Sequence, residues 1–176
     1  MDARTESTAV TQPDQNQPEP DAVVSGQIIQ TGQAGALVKL PDGELGWLPL
    51  AHIAGQSFLS ERSAEEALQS RRASAIDVVT IGCEHGFPIL SMLIRGTVTE
   101  ACLLRYEADP GQFVLQLPGN LPAVISSHGI SNQLFAQLLN PGQLIKASID
   151  RLALSGERHL TVVLSNKGIK TARRNS

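Results

Sequence analysis

The sequence predicts an all-β protein made of two small five-stranded modules in tandem, each with one short helix between its third and fourth strands. Two observations carry this. First, the chain repeats itself: Gly26-Gln27-Ile28 returns as Gly96-Thr97-Val98, Gly35-Ala36-Leu37-Val38 as Gly111-Gln112-Phe113-Val114, and Ile89-Leu90-Ser91 as Val163-Leu164-Ser165. A repeat of roughly 70–75 residues means that folding is to be reasoned module by module. Second, short β-branched and aliphatic runs alternate with Gly, Pro and Asp turns, the mark of short strands.

The elements follow in order. Residues 1–22 are Gln, Pro, Thr and acid with little to bury, and are expected to be a disordered tail. The first module is expected over residues 23–94. It opens with a Val- and Ile-rich strand over 23–30, turned by Thr31-Gly32-Gln33-Ala34-Gly35. In the next strand, 36–40, a period of two sends Ala36, Val38 and Leu40 to the core and leaves Leu37 and Lys39 outside. Pro41-Asp42-Gly43 makes a hairpin turn into strand 45–49. Ser63-Ala64-Glu65-Glu66 has the pattern of a capped helix start. Strands over 73–81 and 87–94 close the module.

The second module, residues 95–167, follows without a linker. Its strands are expected at 96–105, 112–117, 121–126, 144–152 and 159–165, with a helix between Ser131 and Leu139 stopped by Asn140-Pro141-Gly142. Residues 168–176 form a basic tail, expected to fray. The order β-β-β-α-β-β, twice, is that of the OB-fold, a five-stranded Greek-key barrel.

Composition bounds the function. The 176 residues carry a net charge of −3, unevenly placed. The first 22 hold Asp2, Glu6, Asp14, Glu19 and Asp21 against Arg4, while Lys167, Lys170, Arg173 and Arg174 close the chain. The acidic body between is a poor field for phosphates, which are gripped by clustered Lys and Arg. Cys83 and Cys102 lack metal-ligand spacing and read as buried free thiols. No apolar run approaches the length of a membrane span and no signal-peptide core is present, so a cytoplasmic protein without membrane contact is expected. His52, His85, His128 and His159 lie in unrelated contexts, Ser126-Ser127-His128 lacks a nucleophile turn, and Gly32-Gln33-Ala34-Gly35 lacks the Lys and helix of a phosphate loop. The reading is of a non-enzyme with no cofactor, no metal and no small-molecule substrate.

The residues Gly26-x-Ile28, Gly35-Ala36-Leu37-Val38-x-Leu40, Gly46-Trp47-Leu48-Pro49-Leu50 and Ile89-Leu90-Ser91 resemble the S-one RNA-binding domain. This is the repeat of bacterial ribosomal protein S-one, also found in polynucleotide phosphorylase. Gly96-x-Val98, Gly111-Gln112-Phe113-Val114-x-x-Leu117, Pro141-Gly142-Gln143 and Leu164-Ser165 carry the same likeness in the second module. The resemblance implies single-stranded RNA as partner, with bases stacked on aromatics of strands two and three and cations along the backbone. The family's two aromatics around the glycine of strand two correspond here to Ala34 and Leu37, then to Pro110 and Phe113. Trp47 and Phe113 are therefore the stacking candidates. Leu37 lies on the outer face beside Lys39, and both are RNA-binding candidates, Lys39 for a phosphate contact. Arg105, Lys146, Arg151 and Arg158 are candidates for the second module's groove, and Lys167, Lys170, Arg173 and Arg174 for phosphate contacts from the tail. The implied setting is translation, transcription or RNA turnover in a bacterial-type cytoplasm. The alternative is a protein-docking module that attaches to the ribosome or another RNA-processing assembly, with Leu37 and Trp47 as an apolar contact.

Overall fold

The structure, a computed structural model, describes residues 22–60, 62–71, 74–155 and 159–171. The first half closes a five-stranded barrel. Strand β1 (Val24–Thr31) pairs antiparallel with β2 (Gly35–Lys39), and β2 with β3 (Leu45–Pro49). From β3 the chain passes through helix α1 (Ala64–Leu68) to β4 (Ile76–Glu84) and β5 (Phe87–Ser91). β5 runs parallel to β3, with Trp47 level with Ile89, and antiparallel to β4, which returns to β1. The turn between β2 and β3 uses Gly43 at φ 88°, a conformation that glycine adopts without steric cost. Ser63 caps α1 by accepting a hydrogen bond from the Glu66 N–H at 3.3 Å. Ala64 and Leu68 on that helix are buried with Ile53 in the barrel core.

The second half repeats the neighbour relations. β6 (Val98–Glu107), β7 (Gln112–Leu117) and β8 (Leu121–Ser126) form an antiparallel meander. Helix α2 (Asn132–Gln137), capped by Ser131, leads to β9 (Leu144–Ser155) and β10 (His159–Leu164). β10 pairs parallel with β8 and antiparallel with β9, and β9 pairs antiparallel with β6. A short β11 (Lys170–Thr171) adds to β9, with Lys170 opposite Lys146.

The burial pattern follows the alternation: Ala36, Val38 and Leu40 are buried, Leu37 is half-buried and Lys39 exposed. Several boundaries move. The strand expected over 87–94 ends at Ser91, because the Met92 N–H turns to the His52 carbonyl. The strand expected from 96 begins at Val98, since Gly96 sits in a turn at φ 87°. β4 begins at Ile76 and runs on to Glu84, and this carries Cys83 into an exposed hairpin rather than the core. Cys102 is half-buried. The tail expected to fray from 168 instead contributes Lys170–Thr171 as a strand. Residues 1–21 and 172–176 lie outside the described residues.

The two halves are packed against each other. Met92 belongs to the first apolar cluster and Leu93 to the second, so the chain crosses between cores in one step. Val79, on β4, also packs in the second cluster. Glu100, on β6, accepts hydrogen bonds from the Phe58 N–H (2.9 Å) and the Ser57 hydroxyl (3.3 Å). A Cβ on Gly119, in the β7–β8 turn, would stand 2.7 Å from Cβ of Ala51, so only glycine allows this approach.

At the crossing, buried His52 holds its Nδ1 2.9 Å from the Ser91 hydroxyl, which also accepts from the Leu93 N–H at 3.1 Å. Burial lowers the His52 pKa from 6.5 to about 4, because a charged imidazole is poorly solvated there. The unfolded chain therefore binds a proton that the folded chain refuses between pH 6.5 and about 4. Stability is full above this window and falls as pH drops through it, by roughly 3 kcal/mol at most from this group. Urea midpoints measured across the window check this, and His52→Gln is expected to flatten the slope. An unchanged slope in that variant would assign the acid sensitivity elsewhere.

Candidate nucleic-acid interface

The outer face of the first barrel is set by strand pairing. Gln30, Leu37, Trp47 and Ile89 form one row across β1, β2, β3 and β5. Gln27, Lys39 and Leu45 form the next. Side chains two apart on a strand share a face, so Phe87 points the same way as Ile89. Because β5 runs parallel to β3 with Ile89 level with Trp47, Phe87 lies toward the Leu45 end of β3. Phe87 is 50% exposed and Leu45 37%. Trp47 is half-buried, and its ring lies across β2 at Gly35. A Cβ on Gly35 would stand 2.5 Å from Cζ2 of the indole and would also run into the Leu48 carbonyl. Gly35 is therefore the seat of the ring. Lys39 is exposed at the edge of this surface, with no salt bridge to a described residue. The face thus offers one exposed ring, Phe87, one half-buried ring, Trp47, an aliphatic floor and one cation.

Phe113 is not part of such a face, and the expectation for it is corrected. It is fully buried and packs against Tyr106 (centroids 4.9 Å apart) and Phe135 (5.3 Å). The reason is a shift of one residue in phase. Gly35 is an extended residue inside β2, whereas Gly111, at φ 88°, is in the turn before β7. Counting from the glycine equates Phe113 with Leu37, but burial equates it with Ala36, and a one-residue slip on a strand reverses the face. In the second half, the pair matching Leu37–Trp47 is Val114–Val124, which has no ring to stack.

Two candidate cations of the second half, Arg105 and Arg151, are engaged by carboxylates. Arg105 is exposed but holds Glu107 Oε1 through Nη2 at 2.9 Å and Nε at 3.1 Å. The Gln112 side-chain amide and then Arg105 keep the Glu107 carboxyl below its usual range. Arg151 is exposed and bonds Asp150 at 3.0 Å. Lys146 and Lys170 are exposed neighbours across β9 and β11, with Glu100 on the other side of Lys146. Lys167 is exposed after β10. Arg158, Arg173 and Arg174 lie outside the described residues. The structure therefore gathers Leu37, Lys39 and Trp47 on one face and leaves the other described candidates elsewhere.

Sequence reasoning left Phe87 out of the candidates. The signal that finds it is the alternation in Phe87-Pro88-Ile89-Leu90, where Pro88 and Leu90 are buried. Among the described residues no three His, Cys, Asp or Glu side chains are grouped to hold a metal ion. No helix of these residues is long and apolar enough to cross a membrane.

No family model matches the sequence, and no curated protein matches it. Among solved structures, one similar chain is a multidomain protein with nucleic acid binding domains from Streptococcus pneumoniae. It is 14% identical and aligns over 85% of this chain and 52% of its own length, with a TM-score of 0.33. This chain thus spans about half the length of that protein.

Two variants separate the roles of the rings. Trp47 is the only tryptophan, so its fluorescence reports its seat alone. Gly35→Ala is expected to lift the indole, shift its emission to the red and cost about 1–3 kcal/mol of stability. Phe113→Ala is expected to cost about 3–5 kcal/mol of stability while leaving Trp47 emission of the folded protein unchanged. Denaturant titrations followed at the tryptophan check both.

Proposed function

We propose that the chain is a non-enzymatic nucleic-acid-binding protein whose halves, residues 23–94 and 95–167, are both S-one-like OB folds. Its ligand is single-stranded RNA, held weakly by the outer face of the first half. The setting is translation, transcription or RNA turnover in the cytoplasm. The observation that carries the reading is the placement of Trp47 and Phe87 on one open face beside Lys39. Bases stack on such rings irrespective of sequence, each stack contributing roughly 1–3 kcal/mol. With one lysine at hand, little of the affinity comes from counterion release, so salt dependence is shallow.

A second reading is favoured by the pairing of Arg105 with Glu107 and of Arg151 with Asp150. Cations already engaged are poorly available to phosphate, so the same apolar row would dock a protein of the ribosome or an RNA-processing assembly.

Anisotropy of a labelled oligouridylate, titrated at several salt concentrations, tests the first reading. Trp47→Ala and Phe87→Ala are each expected to weaken binding about tenfold or more. The expected log–log salt slope is about −1, near the value for one or two neutralised phosphates on a single strand. Absence of binding at about 50 mM salt would sink the RNA reading. Recovery of one protein, insensitive to nuclease and lost in Trp47→Ala, would establish the second.

A further inference from the structure

Where the halves meet, a cleft of about 620 Å³ opens, within the size range of small-ligand sites. The first half contributes Gln33, Leu50, Phe58 and Arg62, and the second contributes the β7–β8 turn with Asn120. Phe58 is fixed there, because its N–H is held by Glu100 across the seam. Asn120, at φ 63°, is fixed by the Gln116 side-chain amide, which donates to its Oδ1 at 2.9 Å. Gln56 lines the same cleft, and its Nε2 is buried with no hydrogen-bond partner. A buried donor left unpaired is costly, and a turn of the Gln56 amide into the cleft would offer it an acceptor there.

These groups select among ligand classes. An apolar ligand would leave the amides of Gln33, Gln56 and Asn120 unpaired. A metal ion would need acidic ligands, and none of the described residues that line the cleft is acidic. A bare anion would find one cation among the described lining residues, Arg62. A planar heterocycle bearing donors, acceptors and a phosphate uses all of them.

We propose that this cleft binds a nucleotide, with its base against Phe58, the base edge on the Gln56 and Asn120 amides, and the phosphate on Arg62. The chemistry is shared by a free nucleoside monophosphate and by one residue of an RNA strand. The site is separate from the Trp47 face, so it stands whether or not that face binds RNA. Because its walls come from both halves, a bound nucleotide also bridges the seam.

The test is titration of the full chain with uridine and adenosine 5′-monophosphates, followed by NMR of backbone and side-chain amides. Saturable shifts are expected at the Gln56 and Asn120 side chains. Phe58→Leu keeps the apolar volume but removes the ring, and is expected to weaken binding about tenfold. Arg62→Ala is expected to weaken the monophosphates and leave the nucleosides unchanged, and Trp47→Ala to leave both unchanged. An oligouridylate that binds much more tightly than uridine monophosphate, and is weakened by Phe58→Leu, names the strand as the source. Equal affinities name the free nucleotide. Absence of saturable shifts at millimolar ligand, indifference to Phe58→Leu, or loss of the shifts in Trp47→Ala would each overturn the proposal. Gln56→Leu, which removes the orphan amide without opening the cleft, serves where Phe58→Leu fails to fold.

Discussion

The seam between the halves is the constraint on which the rest depends. A module of about 70 residues buries only about 60% of its unfolded surface, so each core is thin on its own. The chain answers this by leaving no linker. Ser91 ends the last strand of one half, Met92 fills the first core, Leu93 fills the second, and Thr97 already bonds back to Ile94. So short a crossing leaves the modules little freedom to separate. It brings Gly119 against Ala51 and Glu100 against the Ser57–Phe58 backbone. The buried His52–Ser91 pair sits under this crossing, and its tolerance of burial depends on the imidazole remaining neutral.

What the outer face can do follows from its inventory. A half-buried indole seated on Gly35, an exposed Phe87 and an aliphatic floor make a stacking surface with little charge. Two stacks of roughly 1–3 kcal/mol each, set against the cost of association, leave weak binding unless several contacts act together. The exposed Arg–carboxylate pairs of the second half contribute little to stability. Their consequence is electrostatic: each turns a phosphate contact into a neutral surface element.

The β class and the order of the strands were legible from the residues because the repeat and the alternation are backbone signals. Ala36-Leu37-Val38-Lys39-Leu40 states its own faces, and Ser63 states its cap. The site was half legible. Trp47 and Leu37 could be placed because Gly35 lies inside its strand. Phe113 could not, because the glycine used to align the halves had moved into a turn, and nothing local in Gly111-Gln112-Phe113 reports that change of phase. The pairing of Arg105 with Glu107 was readable as an i, i+2 neighbour on one strand face. The cleft was not, because Gln33, Gln56, Phe58 and Asn120 come from three separate segments that only the seam brings together.

The two halves have therefore kept one set of strand pairings and diverged in what they display. In the first, an inward alanine at the head of β2 and a glycine before it leave room for an indole laid across the strand. In the second, the inward position is Phe113, which with Tyr106 and Phe135 turns the aromatic content of that half into core. A ring cannot fill a core and stack on a base at once. The second half is thus built to pack, presenting Gln112, Val114 and Gln116 outward, while the face that carries the rings is set by the strand pairing of the first.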